Sequence, residues 1–194
     1  MTLPPRDHPP RWQARFGLEP PGIEAPPWTT SRWFHHDGAP LQPEALRGRV
    51  VALHTFQMLC PGCVMHALPQ ARRVHEALRR EDFAVLGLHS VFEHHEAMTP
   101  VSLEAFLHEY RIAFPVAVDA PGEGRPIPKT MAAYGMRGTP TTIVIDPAGR
   151  IARHSFGAED DLAFGLFLGD LAAARSGALP AAEAGICKID EGCA

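Results

Sequence analysis

The sequence predicts a single α/β domain, and three observations support that prediction. An apolar run at 49–56 is followed by an amphipathic segment of helical spacing and then by a second apolar run at 83–89. Strand, helix and strand in this order form a βαβ unit, which places the two strands parallel in one sheet. Two strand-like runs around the turn at 147–150 predict an antiparallel hairpin. The length of 194 residues suits one domain with a substantial core.

The other elements follow from periodicity and turn residues. The segment Trp28–Phe34 is expected to form a strand, and Asp37–Gly38 a turn, so that a hairpin precedes Arg49. After the first apolar run, Val64, Ala67, Leu68, Ala71, Val74 and Leu78 recur at helical spacing. Further strands are predicted at 114–119, 141–146 and 151–156, and further helices at 99–110, 129–134 and 162–174.

The ends of the chain differ from its centre. Four Pro-Pro pairs lie within residues 1–27, and because proline restricts itself and its predecessor to extended geometry, this segment is expected to be an arm. The folded domain is assigned to 28–175, and the small-residue-rich segment 176–194 to a flexible tail.

The composition excludes some classes of function. The net charge is -4 and the arginines are scattered, so nucleic acid is not an expected partner. The N-terminal segment has no apolar run of the about 7–15 residues that a secretory signal needs, nor the about 20 of a membrane helix. A cytoplasmic protein without a membrane partner is therefore expected.

The sequence Cys60-Pro61-Gly62-Cys63 is the main chemical motif, and it stands between a buried strand and an amphipathic helix. A cysteine at a helix N-terminus is stabilised as a thiolate by free backbone amides and the helix dipole. Pro61 suits the first helical turn because its missing N–H would have no partner there. Cys60 is therefore predicted to be the nucleophile and Cys63 the buried resolving thiol, while half of a zinc site is the structural alternative.

A second motif, Gly138-Thr139-Pro140-Thr141, precedes the strand that ends at Asp146. The residues alone favour an ordinary trans proline entering a strand. A cis bond is the alternative, and it would leave backbone groups of Thr139 free to pair with an extended substrate beside Cys60.

These motifs, together with Leu46-Arg-Gly-Arg-Val-Val and the run from Tyr134 to Arg150, resemble the thioredoxin superfamily over about Trp28–Ala174. Within it the chain is most similar to the redoxin branch of TlpA/ResA-type reductases and peroxiredoxins. The resemblance implies a central mixed sheet flanked by helices, a cis Pro140 facing the cysteines, and disulfide exchange as the activity. Pro61, Gly62, Thr139 and Pro140 are the expected substrate-binding residues.

The chain departs from that pattern at several positions. Leu59 replaces the tryptophan usual before the first cysteine, and Pro69 lies one residue further from Cys63 than is usual. His54 stands where thioredoxin has a buried acid. A neutral imidazole there is predicted to accept the proton of Cys63 during resolution, with a core histidine bonded to backbone as the equal alternative.

Two other activities remain open. A thiol peroxidase with a peroxidatic Cys60 is the first, although Gln57 occupies the position where a hydroxyl donor would orient peroxide, and Arg137 is interpreted as a solvated loop charge. A copper or zinc protein using Cys60, Cys63 and His66 is the second.

The tail pair Cys187 and Cys193 is predicted to have an auxiliary redox role, with two unused thiols as the alternative. The resulting hypothesis is a thiol–disulfide oxidoreductase that needs no cofactor. Its expected partners are a disulfide-bearing protein or small molecule and a thiol electron donor. A monomer or homodimer is expected.

Overall fold

Six strands form one mixed sheet in the computed structural model, which describes residues 23–124 and 126–175. The strands are β1 (Thr30–Phe34), β2 (Val50–Phe56), β3 (Phe83–His89), β4 (Val116–Asp119), β5 (Thr141–Ile145) and β6 (Ile151–Phe156). The helices are a 3-10 helix (Pro43–Leu46), a π-helical turn (Cys63–Ala67), α1 (Leu68–Ala77), α2 (Pro100–Glu109), α3 (Lys129–Ala133) and α4 (Asp161–Arg175). The predicted α/β class and the mixed sheet flanked by helices are confirmed.

Strand β2 lies at the centre of the sheet, whose order is β1-β4-β3-β2-β5-β6. It pairs parallel with β3, as the βαβ unit predicts, and antiparallel with β5. All seven of its residues are buried, because helices or loops cover both faces. A strand covered on both sides reads as a continuous apolar run, which explains why the sequence identified it.

The two faces of the sheet have different covers. On one face, Val51 and Leu53 of β2 pack with Trp28 and with Met131 of α3. On the other face, the buried residues of β2 and β3 pack against α1, α2 and α4. The helix that follows the cysteine motif therefore lies directly on β2, and this packing holds the motif at the C-terminal end of that strand. None of the helices in the described ranges is long and apolar enough to cross a membrane.

The predicted N-terminal hairpin before Arg49 is wrong. Strand β1 pairs antiparallel with β4, from Thr30 opposite Asp119 to Phe34 opposite Val116. After the Asp37–Gly38 turn the chain contains prolines, which cannot donate to a strand ladder, and it forms the 3-10 helix instead. Strand β1 therefore pairs with the free edge of β4, although the two strands are far apart in the sequence.

Part of the predicted N-terminal arm packs against the domain. The Ala25 amide donates to the Gly149 carbonyl at 2.9 Å, and the Ile151 amide donates to the Ile23 carbonyl at 2.9 Å. Ala25 is buried. Residues 1–22 of the arm and the tail 176–194, including Cys187 and Cys193, lie outside the described residues, so the predicted domain limits stay a prediction.

We expect Gly87→Ala to destabilise the fold by about 2 kcal/mol, because added core volume forces its neighbours apart. A Cβ at Gly87 would lie 2.9 Å from Val116 Cγ2 and 3.2 Å from Phe56 Cε1. Gly165→Ala is the matched control, since Gly165 is helical and a Cβ there meets no atom of the described residues within 4 Å. That control should stabilise by about 0.5–1 kcal/mol. Urea unfolding of both variants gives the comparison, and equal effects would contradict the packing argument.

Candidate active site

The cysteine motif begins where β2 ends. Residues 57–59 form a turn in which the Cys60 amide donates to the Gln57 carbonyl at 3.2 Å. A helical path then starts at Pro61 and runs to Ala77, and the Val64 amide donates to the Cys60 carbonyl at 3.1 Å. Cys60 is thus the residue before the first helical turn, where amides lack intrahelical partners. This is the placement that the sequence predicted.

The two sulfur atoms are close and unequally exposed. Cys60 Sγ and Cys63 Sγ lie 2.6 Å apart, both as free cysteines. Cys60 is half-buried, whereas Cys63 is fully buried. A substrate can therefore reach Cys60 Sγ but not Cys63 Sγ. Cys63 Sγ is placed to attack Cys60 Sγ.

Hydrogen bonds at Cys60 suit an anionic sulfur. Its Sγ accepts from the Cys63 amide at 3.2 Å and from the Cys63 thiol at 2.6 Å. In the protonated form, the Cys60 thiol can instead donate to the Thr139 carbonyl at 3.5 Å. Burial raises the pKa of the Cys63 thiol, and the neighbouring Cys60 acts in the same direction. Cys63 therefore stays protonated and donates a hydrogen bond to Cys60 until Cys63 itself reacts.

The loop 138–140 lies against the cysteine motif. The Thr139–Pro140 peptide bond is cis, as the family resemblance implied. Pro140 Cδ is 3.3 Å from the point where a side chain on Gly62 would begin, so Gly62 allows the loop to approach. The Thr141 hydroxyl donates to the Gly138 carbonyl at 2.7 Å and holds the loop in place. The structure thus brings Gly62, Thr139 and Pro140 together beside Cys60, and Pro61 stands exposed next to them.

The extra residue before Pro69 is taken up by a π-helical turn. In this turn the Leu68 amide donates to the Cys63 carbonyl, five residues earlier. A proline in an ordinary helix clashes with the carbonyl four residues before it and cannot donate a hydrogen bond. The wider turn lies directly before Pro69 and accommodates one additional residue within the helix.

Comparison with known proteins agrees with this geometry. A profile of the AhpC/TSA family matches residues 21–154. The chain belongs to the AhpC/TSA family. A thioredoxin-like superfamily protein of known structure is 52% identical, with a TM-score of 0.75, over 78% of this chain and 97% of that one. A thiol-disulfide isomerase from Corynebacterium glutamicum is 49% identical, with a TM-score of 0.73, over 77% and 97%.

More distant structures share the fold alone. The exposed lipoprotein thioredoxin of Streptococcus pneumoniae is 22% identical, with a TM-score of 0.57, over 75% of this chain and 98% of that one. A search of curated proteins gives no significant match. Together with the AhpC/TSA match, these neighbours place the chain in the thioredoxin-like redoxin branch. Its fold is that of thiol–disulfide oxidoreductases.

His54 lies in the core beneath this AhpC/TSA site. Its Nδ1 is 3.4 Å from the Thr142 hydroxyl, its Nε2 has no hydrogen-bond partner among the described residues, and its ring packs edge-on against Phe164. Complete burial lowers the pKa of His54 to about 4. The ring is thus neutral at ordinary pH. Within the described ranges no hydrogen bond joins it to either cysteine, so its role as a proton acceptor stays a prediction.

The metal-binding alternative has no geometric support in the part of the chain that the structure describes. There, no three side chains of histidine, cysteine, aspartate or glutamate are placed to hold a metal ion. His66 lies in the π-helical turn and is exposed.

His89 is a buried histidine at the same edge of the sheet as the cysteine motif, and the sequence argument did not single it out. It ends β3 next to Phe56, with ring centroids 5.3 Å apart, and neither ring nitrogen has a partner among the described residues. Burial lowers the pKa of His89 to about 4. Its place at the C-terminal end of a strand parallel to β2 was the available signal, since sites in α/β sheets gather at that edge.

Asp119 is a second buried residue that the sequence argument missed, and it holds the start of α3. Its carboxylate accepts from the amides of Thr130 and Met131 at 2.8 and 3.0 Å and from the Ser90 hydroxyl at 2.8 Å. It therefore caps α3, the helix that leads into the Thr139–Pro140 loop.

Proposed function

We propose that this protein is a thiol–disulfide oxidoreductase that uses Cys60 and Cys63 as its redox pair. The observation that carries the proposal is the pair of free sulfurs 2.6 Å apart, of which only Cys60 is accessible. The AhpC/TSA match and the isomerase neighbour support a redox enzyme of this kind.

The reaction proceeds in two exchanges. The Cys60 thiolate attacks one sulfur of a substrate disulfide, which forms a Cys60–substrate disulfide and releases the other sulfur as a thiolate. Cys63 then loses its proton and attacks Cys60 Sγ, which releases the second substrate sulfur. The substrate gains two electrons and the protein keeps a Cys60–Cys63 disulfide, which an external thiol donor reduces. The same steps in reverse oxidise a dithiol.

The surface around Cys60 supports a protein substrate. Leu59 and Met65 are 57% and 63% exposed on either side of the motif. Phe156 is 52% exposed, and its ring lies against Gly138 at the start of the Thr139–Pro140 loop. An apolar rim of this kind favours an extended chain that carries apolar side chains beside its disulfide. The Thr139 backbone is the expected pairing partner for such a chain.

A thiol peroxidase is the second candidate, and the AhpC/TSA match favours it. Gln57 offers no hydroxyl to orient a peroxide, and its Nε2 is buried without a partner among the described residues. The Arg137 guanidinium lies over the Phe156 ring at 5.4 Å and is exposed, as expected for a loop charge. We therefore rank this activity below disulfide exchange. The cytoplasmic location and the oligomeric state stay predictions.

The test is a redox titration of the full chain against glutathione, with insulin reduction and peroxide consumption measured alongside. We expect one two-electron transition that reports Cys60 and Cys63, thiol-dependent insulin reduction, and peroxide consumption that is slower than insulin reduction. The double variant Cys187→Ser and Cys193→Ser shows whether the tail takes part, since an auxiliary role predicts slower turnover in that variant. Rapid peroxide consumption without insulin reduction would favour the peroxidase instead.

A further inference from the structure

A cleft lies at the end of the sheet opposite the cysteines. It consists of a cavity of about 370 Å³ and an adjoining cavity of about 340 Å³ that share His75, Arg80 and Ala113. Arg49 lines the larger cavity and lies directly before the first residue of β2. Cys60 lies beyond the other end of that strand, four residues after Phe56. A strand of seven residues spans about 23 Å. The cleft is therefore separate from the redox site.

Arginines without an acidic partner converge on this cleft. Arg49, Arg80 and Arg111 line it, and none of the three makes an ion pair with a carboxylate in the described part of the chain. Most other arginines there do so: Arg32 with Glu104, Arg47 with Glu24, Arg73 with Asp161, Arg79 with Asp82 and Arg153 with Glu159. The cleft thus concentrates uncompensated positive charge on a protein whose net charge is -4.

Glu76 lines the smaller cavity and Glu81 lies near the larger one, and they reduce this charge only in part. Glu76 pairs with a fourth lining arginine, Arg72, at 3.8 Å. Glu81 acts on Arg49 through space, and burial is the larger effect, so that the pKa of Arg49 is lowered. One terminal nitrogen of Arg49 donates to the Phe83 carbonyl at 2.6 Å, and one of Arg72 donates to the Tyr110 carbonyl at 3.4 Å. The Nε atoms of both arginines are buried without hydrogen-bond partners among the described residues.

The histidine at the junction of the two cavities orients one of the arginines. His75 Nε2 lies 3.4 Å from an Arg80 terminal nitrogen. Burial lowers the pKa of His75, and the positive charge of Arg80 acts in the same direction. The neutral ring can therefore accept a hydrogen bond from Arg80 while the arginine keeps its other donors free. His35 and His36 add further ring nitrogens to the wall of the larger cavity.

We propose that this arginine cleft, lined by Arg49, Arg72, Arg80 and Arg111, binds a small anion that carries a phosphate or pyrophosphate group. Guanidinium groups present paired donors that match phosphate oxygens in a bidentate manner. Several arginines on one concave surface suit a ligand with two or more negative charges. A volume of about 370 Å³ lies within the usual range of small-molecule sites.

Calorimetric titration of the full chain with pyrophosphate tests the proposal. We expect saturable binding to the wild-type protein and an affinity at least about 10-fold weaker in Arg80→Gln and in Arg111→Asn. Asparagine is chosen for position 111 because Arg111 has a φ of 53°, which asparagine tolerates. Arg137→Gln is the matched control, because Arg137 also makes no ion pair within the described ranges but lies outside the cleft.

Three outcomes would overturn the proposal. One is the absence of saturable binding below about 10 mM pyrophosphate. Another is equal weakening by Arg137→Gln, which would mean that general electrostatic attraction explains the binding. The third is tighter binding of citrate than of pyrophosphate, which would assign the cleft to carboxylates. Thermal unfolding of each variant, with and without pyrophosphate, confirms that any loss of binding does not come from loss of the fold.

Discussion

Replacing Cys60 with serine will lower the rate of disulfide exchange by at least about 10³-fold. The serine hydroxyl stays protonated at neutral pH, so the accessible position loses its nucleophile. Cys63 cannot take over, because it is fully buried and burial raises the pKa of its thiol. Insulin reduction with dithiothreitol as donor measures the loss.

Replacing Cys63 will have a different effect, and this difference tests the order of attack. Cys60 can still form a disulfide with the substrate, but no other cysteine of the described residues is left to resolve it. The replacement is made together with Cys187→Ser and Cys193→Ser, so that the tail thiols cannot resolve it either. One substrate should therefore remain covalently bound per protein, as mass spectrometry under non-reducing conditions will show. Cys63→Ala is used beside Cys63→Ser, because a buried hydroxyl without a partner can destabilise the fold. Trapping on Cys63 in the Cys60→Ser variant would contradict the assigned roles.

Protonation linked to two buried histidines will lower the free energy of unfolding by about 4 kcal/mol between pH 7 and pH 5. Burial holds the pKa of both His54 and His89 at about 4 in the folded protein, against 6.5 for an unperturbed histidine. Below pH 6.5 the unfolded chain therefore binds more protons than the folded chain, and stability falls until about pH 4. Each histidine contributes about 2 kcal/mol at pH 5. Asp119 acts in the opposite direction, because burial raises its pKa.

Urea unfolding at pH 5, 6 and 7 measures this dependence, and two variants assign it. His89→Leu removes a ring whose two nitrogens have no partner among the described residues, so we expect no loss of stability at pH 7. This variant should keep about half of the pH dependence, which His54 supplies. His54→Gln alone should likewise keep the half that His89 supplies. His108→Gln is the control, because the His108 side chain is 86% exposed. If the pH dependence is unchanged in both buried variants, the buried histidines are not its source.

The His54 variant also tests the proton-acceptor prediction. If His54 takes the Cys63 proton during resolution, His54→Gln will slow the release of substrate from Cys60. Unchanged resolution kinetics between pH 6 and pH 9 would reject that role and leave His54 as a neutral core residue.

The sequence was sufficient for the features that depend on neighbouring residues. The runs at 49–56 and 83–89 are mostly apolar because both faces of these strands are covered, and such a run is visible without a structure. The placement of Cys60 before a helix follows from the same local pattern, as does the greater exposure of Cys60 than of Cys63. The cis form of Pro140 came from the family resemblance, since its residues alone favoured trans.

The tertiary structure decided what depends on distant parts of the chain. Strand β1 pairs with the free edge of β4, and no local signal identifies that edge. The π-helical turn absorbs the extra residue before Pro69, which a count along the chain showed only as a displaced proline. The low pKa values of His54 and His89 also depend on distant parts of the chain. The same is true of the two adjoining cavities that Arg49, Arg80 and Arg111 line. Burial and charge depend on what packs around a residue, and elements far apart in sequence supply that packing.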